Sequence, residues 1–250
     1  DSEAKAVDLP MDVDGAVHSK VIPLQDGGSL RIRGSVDRVD VLEQDGQQFV
    51  RVVDYKSGAK AFRLADIVNG LNLQTCLYMF NVCADRSNPY AGGPAGVLYM
   101  HAARSVMTVE TKSSAEKDIA GQEDKAFGMN GIVITNPDCD IPAAMEHDLA
   151  GKYIPVRLKK SGVGGSLASL EQLGLLQRKI EALVADMGNA LQNGQIGQHP
   201  VQAKDHDKTC EYCDFASVCA FKKSVTPRTY DDQTDSAVLA ELEKEGESHA

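Results

Sequence analysis

Gly34-Ser35-Val36-Asp37-Arg38-Val39-Asp40 and Val52-Val53-Asp54-Tyr55-Lys56-Ser57-Gly58 are the two segments on which the reading of this chain turns. Residues Leu30 to Val41 and Gln48 to Tyr55 are rich in β-branched side chains and predict two strands. Gln44-Asp45-Gly46-Gln47 lies between them, and Asp-Gly suits the positive φ of a tight hairpin turn. If Gln44 faces Gln47, paired positions sum to 91 along the ladder, and Asp37 falls opposite Asp54. Side chains two apart in a strand share a face, so Asp54 and Lys56 project together.

That register places two carboxylates within roughly 5 Å of each other at Cβ, which like-charge repulsion disfavours. A divalent cation is the natural compensation, because carboxylate oxygens suit Mg²⁺ or Mn²⁺. Lys56 at the rim of the same face can orient water and stabilise charge on a phosphate. A one-residue slip or a bulge would turn Asp37 away from Asp54.

Outward from the hairpin, apolar residues at Leu64, Ile67, Val68, Leu71, Leu77 and Tyr78 predict helix from Leu64 to Ala84. Gln74 and Tyr78 are four apart and share a helix face. Gly96 to His101 and Gly128 to Thr135 predict further strands, and Gly162 to Gly165 a flexible link. Ser169-Leu170-Glu171-Gln172 is a capping box, and the helix behind it stops at Asn193-Gly194. Residues 1–20 read as an irregular lead-in. Residues 229–250 read as an acidic, mobile tail in which Ala237 to Lys244 can form a short helix.

The chain has 250 residues and a formal net charge of −10, which points away from a protein that grips nucleic acid through overall basicity. Nucleic-acid binding then requires uneven charge. Lys152, Arg157, Lys159 and Lys160 form one basic stretch, and Lys222 with Lys223 another. No apolar run is long enough for a membrane span and no signal segment opens the chain, so a cytoplasmic location is expected. The first residue is Asp1, which suggests a piece of something longer. No phosphate-cradling Gly-x-x-x-x-Gly-Lys-[Ser/Thr] loop occurs, so any ATPase must come from elsewhere.

Six cysteines in such a chain argue for metal chemistry over disulfides. Cys210, Cys213 and Cys219 have Cys-x₂-Cys-x₅-Cys spacing, close enough to converge on zinc or an iron–sulfur cluster. Three ligands are one short of a closed site. Cys76 and Cys83 read as packed core thiols, and Cys139 is open to either reading.

The two hairpin segments, followed by Gly70-Leu71-Asn72-Leu73-Gln74-Thr75-Cys76-Leu77-Tyr78, resemble the nuclease core of the RecB-like branch of the PD-(D/E)XK superfamily. The resemblance implies an α/β fold: a restriction-endonuclease-like core with a mixed sheet flanked by helices. It also implies that Asp37, Asp54 and the Tyr55 carbonyl hold metal, that Lys56 serves the attacking water, and that Gln74 and Tyr78 orient the site and the DNA. Val53 stands where the superfamily's name has Pro, as is usual in this branch. A further acidic or histidine ligand normally comes from upstream, where Asp12, Asp14 and His18 are weak candidates.

The cysteines resemble the carboxy-terminal iron–sulfur staple of the AddB (RexB) subunits of bacterial helicase–nucleases. There a fourth, upstream cysteine completes a [4Fe–4S] cluster, and no cysteine precedes Asp37 in this chain. Phe127-Gly128-Met129-Asn130, Lys152-Tyr153-Ile154-Pro155 and Ser169-Leu170-Glu171-Gln172 follow in the same order as in that group. The resemblance implies a nuclease domain over residues 21–228 with the staple at 210–219. It implies hydrolysis of one DNA strand in double-strand-break repair, single-stranded DNA delivered by a helicase, and an AddA-like partner. A CRISPR-associated adaptation nuclease, a non-catalytic DNA-binding scaffold and an unrelated zinc-binding interaction domain are the alternatives.

Overall fold

The computed structural model describes residues 3–11, 16–44, 46–58, 60–102, 127–204, 210, 213–219 and 227–248. The hairpin forms as strands β4 (Gly34–Gln44) and β5 (Gln47–Lys56), with Gln44 paired to Gln47 and Gly46 at φ +76°. Every pair from there to Arg38↔Val53 sums to 91. β5 is buried from Phe49 to Asp54, because strands flank it on both sides and its two faces are covered.

The short strands β2 (Val21–Pro23) and β3 (Ser29–Arg31) form a separate ribbon ahead of the hairpin. The main sheet has six strands in the order β1 (Glu3–Met11), β4, β5, β6 (Gly93–His101), β7 (Asn130–Thr135) and β10 (Leu167–Ser169). β1–β4, β4–β5 and β6–β7 are antiparallel, whereas β5–β6 and β7–β10 are parallel. The sheet is therefore mixed. The sequence pattern predicts an irregular lead-in over residues 1–20, yet Glu3–Met11 supplies the outer strand beside β4. Its pattern is too weak to read alone because an edge strand takes its partner from across the sequence.

The two faces of the sheet carry different residues. Arg38, Asp40 and Leu42 share one face with Phe49, Arg51 and Val53. Phe49 and Val53 there join Leu98, Val133, Ile141, Ile154 and Val156 in a buried apolar cluster. The opposite face carries Asp37, Val39, Val50, Val52, Asp54 and Lys56, with Val97 and Tyr99 from β6.

The predicted helix from Leu64 to Ala84 is two helices, α1 (Leu64–Val68) and α2 (Gln74–Ala84). The break follows from positive φ at Gly70 (+89°) and Asn72 (+56°), which helical geometry excludes. α2 packs against β5 and β6, and the short helix α3 (Ile141–Met145) against β7. Residues 162–165, predicted as a flexible link, form β9, paired with β8 (Val156–Lys159) in a hairpin.

The chain divides into two compact units, of which the main sheet, α2, α3 and the β8–β9 hairpin belong to the first. The second unit comprises residues 22–30, 63–73 and 175–250, and most of the helix α4 (Leu170–Gln192) lies in it. The predicted capping box closes the start of α4: Ser169 N–H donates to Gln172 Oε1 at 2.9 Å, and Gln172 N–H to Ser169 Oγ at 3.1 Å. Gly194, at φ +69°, ends it.

Within the segment expected as an acidic, mobile tail, the short helix expected at Ala237 to Lys244 forms as part of a longer one. β12 (Arg228–Tyr230) pairs with β11 (Val201–Ala203), and a helix covering Asp235–Ser248 buries Val238, Leu239 and Leu242. Thr234 caps that helix through Ala237 N–H, and Asp235 accepts Leu64 N–H at 2.8 Å. No helix among the described residues is long and apolar enough to cross a membrane.

Glu146 holds the turn that leads into β8. Its carboxylate accepts the N–H groups of Lys152, Tyr153 and Ile154 at 2.9–3.1 Å. Burial alone would raise its pKa, but these backbone donors outweigh burial and hold it below the ordinary 4.5. A depressed carboxylate contributes stability that is present above pH 4.5 and lost as pH falls through its folded value. Glu146→Ala is expected to cost about 3 kcal/mol in denaturant unfolding at about pH 7. The wild-type advantage should shrink when the unfolding is repeated below about pH 4.

Candidate active site

Asp37, Asp54 and Lys56 stand where the β4–β5 ladder ends. Backbone pairing stops at Arg38↔Val53, and beyond it the Asp37 side chain takes over, its Oδ2 accepting Tyr55 N–H at 2.9 Å. Lys56 directs its carbonyl to β6, where it accepts Ala102 N–H at 2.9 Å. Successive strand residues alternate sides, so the Tyr55 carbonyl points with its N–H towards Asp37. Two carboxylates and one main-chain carbonyl thus face the same end of the hairpin.

Asp54 is 4% exposed and forms an ion pair with Lys56 Nζ through its Oδ2. Burial raises the Asp54 pKa above 3.8, the charge of Asp37 adds to that, and Lys56 and Lys60 oppose it. Lys56 is itself held from below. Its Nζ lies 4.8 Å from the centre of the Tyr99 ring, and Phe62 meets that ring edge-on at 5.4 Å. Tyr99 neighbours Asp54 in the β5–β6 register. Strand parity on the predicted strand is compatible with that place, but only the parallel pairing of β5 with β6 sets the ring beneath Lys56.

Gln74 and Tyr78 begin α2, and Gln74 Nε2 donates to Tyr78 Oη at 2.9 Å. The Tyr78 ring is buried against Gly34, the first residue of β4. A Cβ at Gly34 would overlap the Tyr78 hydroxyl and approach its Cζ to 2.7 Å. Gly34 therefore seats the tyrosine, a role that its place in the sequence pattern does not announce.

Asp40, in the same hairpin segment, lies on the other face of the sheet. It is 1% exposed and pairs with Arg38 and Arg51, with Arg51 Nε donating to it at 2.9 Å. It is a structural ion pair set apart from the Asp37–Asp54 face. His18 belongs elsewhere too: its N–H donates to Asp85 Oδ2 at 2.7 Å and its ring lies 2.9 Å from Ser87 Oγ, beyond the far end of α2 from Gln74. Asp12 and Asp14 lie outside the described residues.

Cys76 is buried and its thiol is pushed up to about 12 by burial, as is that of Cys83. Cys139 is buried in the apolar cluster and donates to Gln44 Oε1 at 3.0 Å. Cys210 is half-buried, while Cys213 and Cys219 are exposed, Cys219 ending the single-turn helix at Ala216–Cys219. Among the described residues, no three His, Cys, Asp or Glu side chains are gathered as a metal-ligand group. The hairpin end fits a hard divalent ion, because it presents a buried carboxylate with a raised pKa, a second carboxylate and a carbonyl oxygen.

Gly34→Ala is expected to lower stability by about 1–3 kcal/mol, since Tyr78 must move. The same substitution in a Tyr78→Leu background should cost less, as thermal melts of the wild type and the three variants would show.

Comparison with known proteins gives the family. The family model described as the PD-(D/E)XK nuclease superfamily matches residues 3–220. The chain is similar to the B subunit of the ATP-dependent helicase/deoxyribonuclease of Clostridium botulinum strain Hall, with 29% identity over 95% of this chain and 21% of that protein. The corresponding protein of Ruminiclostridium cellulolyticum is 32% identical over 84% of this chain and 18% of its own length. That of a Bacillus cereus strain is 30% identical over 92% and 20%. The chain spans about a fifth of the length of these relatives. A match over most of the chain, on a mixed sheet that brings Asp37, Asp54 and Lys56 together at one end of a hairpin, makes this chain a member of the PD-(D/E)XK nuclease superfamily.

Proposed function

We propose that this chain is the nuclease domain of an AddB-like helicase–nuclease subunit, which hydrolyses phosphodiester bonds of one DNA strand in double-strand-break repair with Mg²⁺ or Mn²⁺. The observation that carries the reading is the convergence of Asp37, Asp54 and Lys56 at the ends of adjacent strands, with Asp54 buried and paired to the lysine. The names of the relatives support DNA as substrate and an ATP-driven helicase as the wider setting. An AddA-like partner would complete the enzyme and deliver the strand.

Asp37, Asp54 and the Tyr55 carbonyl would hold the cation, which supplies positive charge against a phosphodiester gaining negative charge. Asp37 keeps the Tyr55 backbone in place through its N–H. Lys56, set between Asp54 and the Tyr99 ring, presents a fixed ammonium to an attacking water or a phosphate oxygen. Gln74 and Tyr78 steady the start of β4 through Gly34. The [4Fe–4S] cluster of the resemblance would call on Cys210, Cys213 and Cys219 with a further thiol, and none of the hydrolytic chemistry passes through it.

The test is cleavage of end-labelled single-stranded DNA by the full-length protein with its partner, with and without Mg²⁺. Lys56→Ala should lower cleavage of one strand by about a hundredfold or more while unwinding persists. Equal cleavage by the variant would make the domain a scaffold.

A further inference from the structure

Glu146 organises more than a turn. The three N–H groups it holds belong to Lys152, Tyr153 and Ile154, and of these Ile154 is buried while Tyr153 is 43% exposed. The Tyr153 ring stands in solvent on a firmly held backbone. Lys152 lies beside it, its Nζ 5.1 Å from the ring centre.

The same segment carries positive charge in an otherwise acidic chain. Arg157 and Lys159 are exposed on one face of β8, and their partners across the hairpin are Gly164 and Gly162. The facing strand therefore offers no side chain over that strip, and the Lys159 stem lies along Gly164, within 3.3 Å of where a Cβ would stand. Arg157 also packs on Gly151, whose added Cβ would lie 3.3 Å from Arg157 Nε. The guanidinium is thus set against the residue that precedes Lys152. Val156, buried in the core cluster, anchors the hairpin at its base.

The position matters as much as the composition. Met129 N–H donates to Tyr153 O at 2.9 Å, and the next residue, Asn130, pairs with Tyr99, the neighbour of Asp54. Tyr153 is thus at the same end of the sheet as Asp54 and Lys56. Three interstrand spacings separate it from β5, or roughly 15 Å.

We propose that Tyr153, with Lys152, Arg157 and Lys159, is a single-stranded DNA platform beside the cleavage site: the ring stacks on a base and the cations bind the flanking phosphates. Stacking on an aromatic face suits an unpaired strand, whose bases are open, and cations spaced along a ribbon suit its backbone. This rests on the nuclease reading above and places the path of that strand at the β8–β9 hairpin.

The test uses the full-length protein with its partner, metal chelated so that no strand is cut. Single-stranded DNA carries 2-aminopurine at successive positions, and its quenching reports stacking. Tyr153→Leu keeps apolar bulk and should remove quenching at one position and weaken binding about tenfold, while Tyr153→Phe keeps both. Lys152→Ala and Arg157→Ala should each reduce the slope of log affinity against log salt by about 0.7. Quenching unchanged in Tyr153→Leu would overturn the proposal. So would unchanged DNA affinity with loss of partner association, which would make the patch a protein interface. If Lys56→Ala cleaves normally while the Tyr153 signal is lost, the catalytic assignment falls and the platform stands.

Discussion

The pairing of β4 with β5 is the constraint on which the rest depends. Because side chains alternate along a strand, one register places Asp37 and Asp54 on a common face and Asp40 with Arg51 on the other. A slip of β4 by one residue would turn Asp37 into the apolar cluster and carry Asp40 to the far side, away from Arg51. The tight turn at Gly46 and the Asp40–Arg51 pair both hold that register. The ion pair is buried on a face otherwise lined by Phe49, Ala95 and Ile141, so leaving either partner alone there would be severely unfavourable.

The site stands at the point where regular pairing gives out. Tyr55 N–H, left without a β4 carbonyl, is met by the Asp37 carboxylate, and that single bond joins a backbone requirement to a functional one. Asp54 is kept in a place where burial penalises its charge, with Lys56 as its nearest relief. The aromatic pair of Tyr99 and Phe62 then limits where the Lys56 ammonium can go.

The charges of this acidic chain are unevenly placed. Asp37 and Asp54 face one end of the hairpin, while basic residues gather on the β8–β9 hairpin, a ribbon rising from a firmly buried base. The clamp at Glu146 works by the same physics as Asp37: a carboxylate satisfies backbone donors that no strand reaches.

Much of this is legible in the residues alone. The Asp45-Gly46 turn and the two-residue period of its flanking strands are enough to place Asp37 opposite the end of β5, and Ser169 with Gln172 announces the start of α4, because both are local devices with short sequence spans. The break between α1 and α2 is less visible, since apolar spacing runs through it and only the positive φ at Gly70 and Asn72 interrupts it. Glu3–Met11 as a strand, the full extent of the helix at Asp235–Ser248 and the ribbon at residues 162–165 are not legible. Each takes its stability from partners distant in sequence or from burial that a linear pattern does not display. Residue order decides which strand face Asp37, Asp54 and Lys56 share, because that follows from backbone period. Three-dimensional packing decides that Tyr99 underlies Lys56, that Gly34 seats Tyr78 and that Tyr153 stands at the same sheet end, because those neighbours are set by strand order and close contact between segments far apart in the chain.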